Sequence, residues 1–245
     1  MVRYLNIFRL LNCDIFSSLA AAFAMAFLVP NVVVYAIVPV KRLGVSKRRL
    51  SKFLSPQERK FLTIAMLEDV VRALKASTVH EIVVVSSDPN VGMIADKFGI
   101  SFFSPSHNGL NRAVEEATSW CIQKQADSVL VVPADIPLLS FEDVNKIVEL
   151  GNFDGSIVVL SPSNNGGTNA LFQKPPNLLF ANFGNKSFAK HFKQAQNKGI
   201  SVKFHYSTSI ALDVDCEGDL IKLFENPIIN HSKSFLEEAG FSSRI

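Results

Sequence analysis

The chain has 245 residues, 48% of them hydrophobic and 19% charged, and carries a formal net charge of +3. That length buries a sizeable core, and the composition is globular, which excludes a fibrous or disordered chain. So small a positive charge gives no case for nucleic acid or an anionic membrane as partner. Three scattered cysteines, Cys13, Cys121 and Cys216, make neither a disulfide framework nor a zinc pattern, as suits a reducing cytoplasm.

The N-terminus is ambiguous. Arg3 and Arg9 precede an uncharged stretch from Ile15 to Val40 that is long enough to cross a bilayer, but Pro30-Asn31 splits it. Three readings of residues 1–30 stay open: a misassigned start or extension, with Met25 as an alternative initiator; a signal or membrane anchor; and an added helix packed on the domain. The β-branched run Val32–Val38 then reads as the first strand.

From there strands and helices alternate. Ser55-Pro56-Gln57-Glu58 has the form of an N-cap with proline at the first helical position, and apolar residues from Phe61 to Leu74 give the helix one buried face. Glu81–Ser86 is a strand, Asp88-Pro89 opens a helix to Phe98, and Ile100–Phe103 is a strand. Asn108–Gln125 is a helix, Ser128–Val132 a strand apolar on both faces, Ser140–Leu150 a helix and Gly155–Leu160 a strand. Such alternation predicts an α/β fold with a mostly parallel, doubly wound central sheet between helical layers. Beyond residue 160 the pattern predicts shorter strands at Thr168–Phe172, Val202–Tyr206 and Ile210–Val214, making the sheet mixed. It also predicts helices from Ser187 to Asn197 and from Glu217 to Phe224. The expected division is an extension over 1–30, one domain over 31–226 and a loosely attached tail over 227–245.

The candidate site begins at Asp135. It stands at the end of the doubly buried strand, boxed by Pro133 and Pro137, which fix the backbone around it. Ligands of open α/β sheets lie at the carboxyl ends of strands. Ser140 is the better helix cap, which leaves Asp135 without a structural duty and makes it a candidate metal ligand. A-L-D-V-D at 211–215, read as a strand, puts Asp213 and Asp215 on one face, where like charges call for a neutralising partner. With Asp135 they would form an oxygen-rich cluster suited to Mg²⁺. Helix capping is the competing reading of Asp215. The first βα loop has neither G-x-G-x-x-G nor a P-loop; it offers Lys41, Lys47 and Arg49 as cations able to offset a triphosphate, or else is merely a solvated basic loop. Gly109 and Asn111 open a helix and are candidates for binding a base or ribose. Gly166-Gly167-Thr168-Asn169 and Gly184-Asn185-Lys186-Ser187 are glycine-led segments able to hold an anion. Plain turn chemistry accounts for each of these equally well.

Taken as a set, these segments resemble one family. I-V-P-V-K-R-L at 37–43, S-K-R-R-L at 46–50, L-S-P-Q-E-R at 54–59 and A-M-L-E-D-V at 65–70 are similar to the N-terminal block of the 2-phospho-L-lactate guanylyltransferases. G-L-N-R-A-V at 109–114, P-A-D-I-P-L-L at 133–139, G-G-T-N-A-L at 166–171, F-G-N-K-S-F at 183–188 and A-L-D-V-D continue it in order. The resemblance implies a Rossmann-like three-layer nucleotidyltransferase fold. It also implies a cytoplasmic, homodimeric enzyme that joins GTP to 2-phospho-L-lactate or phosphoenolpyruvate, releases pyrophosphate, and passes its product to the next transferase of coenzyme F-420 biosynthesis. On this likeness Asp135 and an aspartate of the pair Asp213/Asp215 hold Mg²⁺. Thr168, Gly184 and Ser187 contact the three-carbon phosphate, and Lys41, Lys47 and Arg49 lie over the GTP phosphates, with Gly109 and Asn111 also at the nucleotide. Residues 1–30 have no family counterpart, and Cys216-Glu217-Gly218-Asp219 replaces the commoner T-P-E-D. Two rival functions are a nucleotidyltransferase for another phosphorylated acceptor, such as a sugar phosphate or molybdopterin, and a catalytically silent nucleotide-binding or membrane-attached regulatory module.

Overall fold

A computed structural model describes residues 32–45 and 47–244. The readings of residues 1–30, and Cys13 with them, lie outside the described residues. Seven strands form one sheet: β1 (Val34–Pro39), β2 (Glu81–Val85), β3 (Ser101–Phe103), β4 (Ser128–Val131), β5 (Ile157–Pro162), β6 (Thr168–Lys174) and β7 (Ser201–Phe204). Their order is β3-β2-β1-β4-β6-β5-β7. β6 runs antiparallel to both its neighbours, and every other pairing is parallel, so the sheet is mostly parallel and mixed. β1 lies between β2 and β4, with Ile37 in register with Val83 on one side and Val131 on the other. The chain therefore reverses its direction of winding between β1 and β4. In open α/β sheets the crevice beyond the carboxyl ends of the strands at such a switch point is where ligands bind.

The helices begin where local chemistry starts them. α1 (Pro56–Lys75) has a reciprocal capping box: Ser55 Oγ accepts from Glu58 N at 3.3 Å, and Ser55 N donates to the Glu58 carboxylate at 2.7 Å. α2 (Pro89–Phe98) is capped by Asp88 and ends at Gly99, whose φ of 59° suits glycine. α3 (Leu110–Gln123) follows Gly109, and α4 (Phe141–Gly151) is capped by Ser140. α5 (Ser187–Asn197), α6 (Thr208–Ala211), α7 (Glu217–Glu225) and α8 (His231–Glu238) complete the chain. Among the described residues no helix is long and apolar enough to cross a membrane.

Alternation along the strands builds a core on each face of the sheet. Ile37, Val83, Val129, Val131 and Leu171 pack with Val114, Ala117 and Cys121 of α3 and Ala195 of α5. Phe172 points the other way, against the end of α4, where a Cβ on Gly151 would stand 2.2 Å from its buried ring. Helical alanine is otherwise favoured over glycine by about 1 kcal/mol, whereas overpacking a closed core costs about 1–3 kcal/mol. Gly151→Ala is therefore expected to lose about 1–2 kcal/mol in urea unfolding. An unchanged midpoint would mean that Phe172 has room to retreat.

Two expectations need correction. Ile210–Val214 is not a strand. Its carbonyls are taken individually: Ala211 O accepts from Asn164 N at 3.0 Å and Ile210 O from the Asn169 side chain at 2.8 Å. The one-turn helix α6 occupies 208–211, and only Val214 N reaches the sheet side, donating to Asp135 O at 2.9 Å. The tail after Pro227 is also not loose. Asp69 of α1 accepts from His231 N, Ser232 N and Ser232 Oγ at 2.8, 2.9 and 2.6 Å, and Asn230 Nδ2 donates to Pro137 O at 2.8 Å. Leu236 and Phe241 are fully buried with Leu50, Leu54, Leu62, Met66, Leu138, Leu212 and Val214. One apolar cluster thus holds the basic loop, the Asp135 loop and the 211–215 segment together from beneath.

Candidate active site

The loop after β1 is pinned by its leucines and by a neighbouring helix cap. Leu43 and Leu50 are buried, and Leu43 N donates to Asp88 at 3.0 Å. Lys47 has φ 54° and ψ 39°, a left-handed conformation that costs a branched-Cβ-free side chain about 1 kcal/mol. Its ammonium holds that geometry in place. Only 6% of the side chain is exposed, and Nζ lies 2.7 Å from Asp135 Oδ2 and 2.8 Å from Asp215 Oδ1. Burial opposes the charge, but the two carboxylates outweigh it and keep the Lys47 pKa above its ordinary value. For Asp215 the balance is the same in mirror image: burial pushes its pKa up, and Lys47, with Lys41 and Arg49 further off, holds it down.

Asp213 stands apart. It is excluded from the Lys47 bridge, and its Oδ1 is buried without a hydrogen-bond partner. Burial, then the charges of Asp135 and Asp215, raise its pKa. Leu212 and Val214 are buried on either side of it, so Asp213 and Asp215 do share a face although no strand forms. Asp215 is not a helix cap. The N-cap is Cys216, and Asp219 in the first turn reaches back to it, its Oδ2 accepting from Asp215 N at 3.2 Å and Cys216 N at 3.0 Å. The acid of C-E-G-D thus keeps the helix start intact despite the changed sequence around it.

A buried carboxylate oxygen without a hydrogen-bond partner, beside two further carboxylates, is chemically suited to a cation. The donor set, all hard oxygen, suits Mg²⁺. Among the described residues, however, no three His, Cys, Asp or Glu side chains are placed to hold a metal together. Asp135 with one aspartate of the Asp213/Asp215 pair would leave room for substrate phosphates and water around such an ion.

Asp135, Lys47, Lys41 and Asp215 line a cavity of about 420 Å³ at the carboxyl ends of β1, β2 and β4, the switch point of the sheet. Gly109 lines it too; its φ of 108° is closed to other residues, so the chain passes close to the cavity without a side chain there. Arg49 is exposed and does not line the cavity; it acts on Asp215 only at a distance. Asn111 is committed elsewhere. It accepts from Phe183 N at 2.7 Å and donates to Phe183 O at 3.3 Å, stapling α3 to the loop before α5, and it does not reach the cavity.

Thr168, Gly184 and Ser187 lie together beside the cavity's Phe183 wall rather than in the cavity lining. Phe188 N donates to Gly166 O at 3.4 Å, which brings the two glycine-led segments side by side. A Cβ on Gly167 would stand 2.8 Å from Ser163 Oγ and 3.8 Å from Ser187 Oγ, so that approach requires glycine. Gly184, at φ 117°, and the left-handed Lys186 turn the chain into α5. One residue here has no counterpart in the sequence reading. His191, fully buried, lies 2.9 Å from Thr168 Oγ1 through Nδ1 and accepts from Asn182 N at 3.0 Å through Nε2. The available signal was its spacing: four residues after Ser187, it shares that residue's helix face.

Compared with known proteins, residues 34–245 match the family model described as "Guanylyl transferase CofC like". The chain belongs to this family. Relatives agree with that placement. A phosphoenolpyruvate guanylyltransferase of Rubrobacter xylanophilus is 37% identical over 78% of this chain and 93% of its own length. A 2-phospho-L-lactate guanylyltransferase of Methanothermobacter thermautotrophicus is 35% identical over 84% of this chain and 91% of its own. Among solved structures, one from Desulfovibrio desulfuricans described as a "putative nucleotide-diphospho-sugar transferase" superimposes with a TM-score of 0.71 at 16% identity, covering 86% of this chain and 97% of that one. A Methanothermobacter nucleotidyl transferase gives 0.57 at 16% identity, over 84% and 99%. These show that the family member described here has the nucleotidyltransferase fold expected of it.

Proposed function

We propose that the protein condenses GTP with 2-phospho-L-lactate or phosphoenolpyruvate and releases pyrophosphate, a step of coenzyme F-420 biosynthesis. The observation that carries this reading is the buried Lys47 ammonium bridging Asp135 and Asp215 at the mouth of the switch-point cavity. It sets fixed positive charge and metal-binding acids side by side where a nucleotide's phosphates would enter. The identity of both substrates is taken from the relatives' names.

The chemistry asks little of side chains. A phosphate oxygen of the three-carbon acceptor attacks the α-phosphorus of GTP as the bond to pyrophosphate breaks on the opposite side. A phosphate monoester with a second pKa of about 6 is already ionised at neutral pH, so no general base is required. Lys47, and Lys41 at the cavity wall, neutralise the triphosphate, and Arg49 lends longer-range positive potential. Gly109 lets the nucleotide approach the main chain at the start of α3. Thr168, Gly184 and Ser187 receive the acceptor. Asp135 with one of Asp213 and Asp215 would hold Mg²⁺, which supplies charge neutralisation at the transferring phosphate. A homodimer, a cytoplasmic setting and delivery of the diphosphate product to a following transferase complete the proposal.

The direct test is pyrophosphate release with each of the four NTPs against 2-phospho-L-lactate, phosphoenolpyruvate and a sugar phosphate. GTP with a three-carbon phosphate is expected to give the signal. Turnover with the sugar phosphate alone would replace this reading by that of a different nucleotidyltransferase.

A further inference from the structure

The Thr168–His191 pair does more than fill space. Asn182 N is a main-chain donor, so the bond it makes at 3.0 Å requires a bare lone pair on His191 Nε2. The ring is fully buried. Burial, helped by the neighbouring Lys190 charge, pushes its pKa down to about 4, so the imidazole is neutral at physiological pH. A neutral ring whose Nε2 accepts must carry its one proton on Nδ1. Nδ1–H therefore donates to Thr168 Oγ1 across 2.9 Å. A hydroxyl that accepts this bond still has its own proton to give, and among the described residues Thr168 Oγ1 has no second partner. The ring is also held in orientation, with the edge of Phe183 packed against it at a centroid distance of 5.0 Å and 68° between planes. Phe183 and Asn182 belong to the segment that leads into Gly184 and Ser187. One histidine thus ties β6 to the loop before α5 and fixes the sense of a hydrogen bond between them.

We propose that His191 is a positioning residue that occupies one lone pair of the Thr168 hydroxyl and so leaves its proton directed toward an anionic oxygen of the acceptor substrate. The inference rests on the assignment of Thr168 to the three-carbon phosphate made above. Its chemical consequence is selectivity for a ligand that presents a charged acceptor atom there, a carboxylate or phosphate oxygen, over one that presents only a donor, such as an ammonium. Phosphoenolpyruvate and 2-phospho-L-lactate both carry such oxygens, so this pair selects the class and leaves the choice between the two to other contacts.

The first measurement does not depend on turnover. Nitrogen-15 NMR of histidine-labelled protein at neutral pH is expected to show His191 as the Nδ1–H tautomer; an Nε2–H tautomer or an imidazolium overturns the proposal. The second is steady-state kinetics with the two substrates varied separately. His191→Gln keeps an acceptor for Asn182 N but loses the donor to Thr168, and is expected to raise KM for the three-carbon phosphate about tenfold. KM for GTP should stay within about twofold, since no new contact to the nucleotide is lost. His191→Asn restores an amide N–H near the place of Nδ1 and should recover most of the loss. Thr168→Val should match His191→Gln, and the double variant T168V/H191Q should be no worse than T168V. Equal rises in both KM values, additive effects, or an asparagine variant no better than the glutamine one would each reduce His191 to a structural residue. If the wild type releases no pyrophosphate with either substrate, the reaction assigned above falls. Calorimetric binding of phosphoenolpyruvate to wild type, T168V and H191Q then decides the hydrogen bond on its own: the predicted loss in both variants supports it, and unchanged affinity refutes it.

Discussion

Asp135→Asn is expected to cut guanylyl transfer on the order of a thousandfold, the scale on which a preorganised charge at a reacting phosphate acts, while the protein stays folded. The two halves of that expectation have separate causes. The backbone role of residue 135 is untouched, because Val214 N donates to its carbonyl, and asparagine supplies the same carbonyl. The side chain is about a quarter exposed, and Lys47 keeps its second partner, Asp215, so the ammonium is not left alone. Losing one arm of such a bridge costs on the order of 1 kcal/mol once solvent screening of the exposed partner is allowed for. Removing the Asp135 charge also relieves Asp213, whose pKa that charge helps to raise. The transfer step has no such reserve, since a neutral amide neither balances Lys47 nor ligates a metal well. Pyrophosphate release at saturating substrates, read beside a thermal melt, checks both. A variant with the wild-type rate would remove Asp135 from the chemistry, and one that fails to fold would make it a structural residue.

What the sequence revealed divides by the range of the contacts involved. The caps at Ser55, Asp88 and Ser140 are bonds between residues two or three apart, and each was readable as a local pattern. β4 was readable because a strand covered on both faces has no polar alternation, and Asp135 because flanking prolines fix it in place while Ser140 takes the capping duty. The shared face of Asp213 and Asp215 follows from extended chain alone. That this chain would not pair as a strand depends on Asn164 and Asn169, which take its carbonyls from 40 or more residues away and which no periodicity announces. Asn111 looked free for a ligand because its partner, Phe183, is 72 residues distant. The tail looked loose because the residue that anchors it, Asp69, precedes it by more than 160 positions. Lys41, Lys47 and Arg49 were indistinguishable as members of one basic run. Folding buries the second, leaves the first at the cavity wall and turns the third away, because Leu43 and Leu50 decide which way the loop faces. His191 escaped for a reason like that of Asn111: its spacing from Ser187 gives a shared helix face, but its role depends on Thr168 and Asn182, which no local pattern places against its nitrogens.

Lys47→Met should have the second largest effect. Methionine preserves most of the apolar stem and removes only the ammonium, so the change isolates charge. Asp135, Asp213 and Asp215 then face one another without a cation of the chain's own, and the entering triphosphate adds to the same negative field. A fall in kcat/KM for GTP of about a hundredfold or more is expected, carried mostly by the nucleotide and much less by the three-carbon substrate. Lys47→Arg should not rescue it, since a planar fork cannot take the place of a compact ammonium in a site that is only 6% exposed. Stability carries a pH signature as well. The folded pKa of Asp215 lies below its unfolded value of about 3.9, so its contribution is present above that pH and is lost as pH falls through the folded pKa. The folded pKa of Lys47 lies above its unfolded value of about 10.4, so its contribution is complete below that pH and is lost as pH rises through the folded pKa. The gap between wild type and Lys47→Met should therefore be widest from about pH 5 to pH 10 and close on either side. Urea midpoints measured across that range with EDTA present read it directly. A gap that did not narrow in acid would place the loss in packing of the stem and take the ion bridge out of the account.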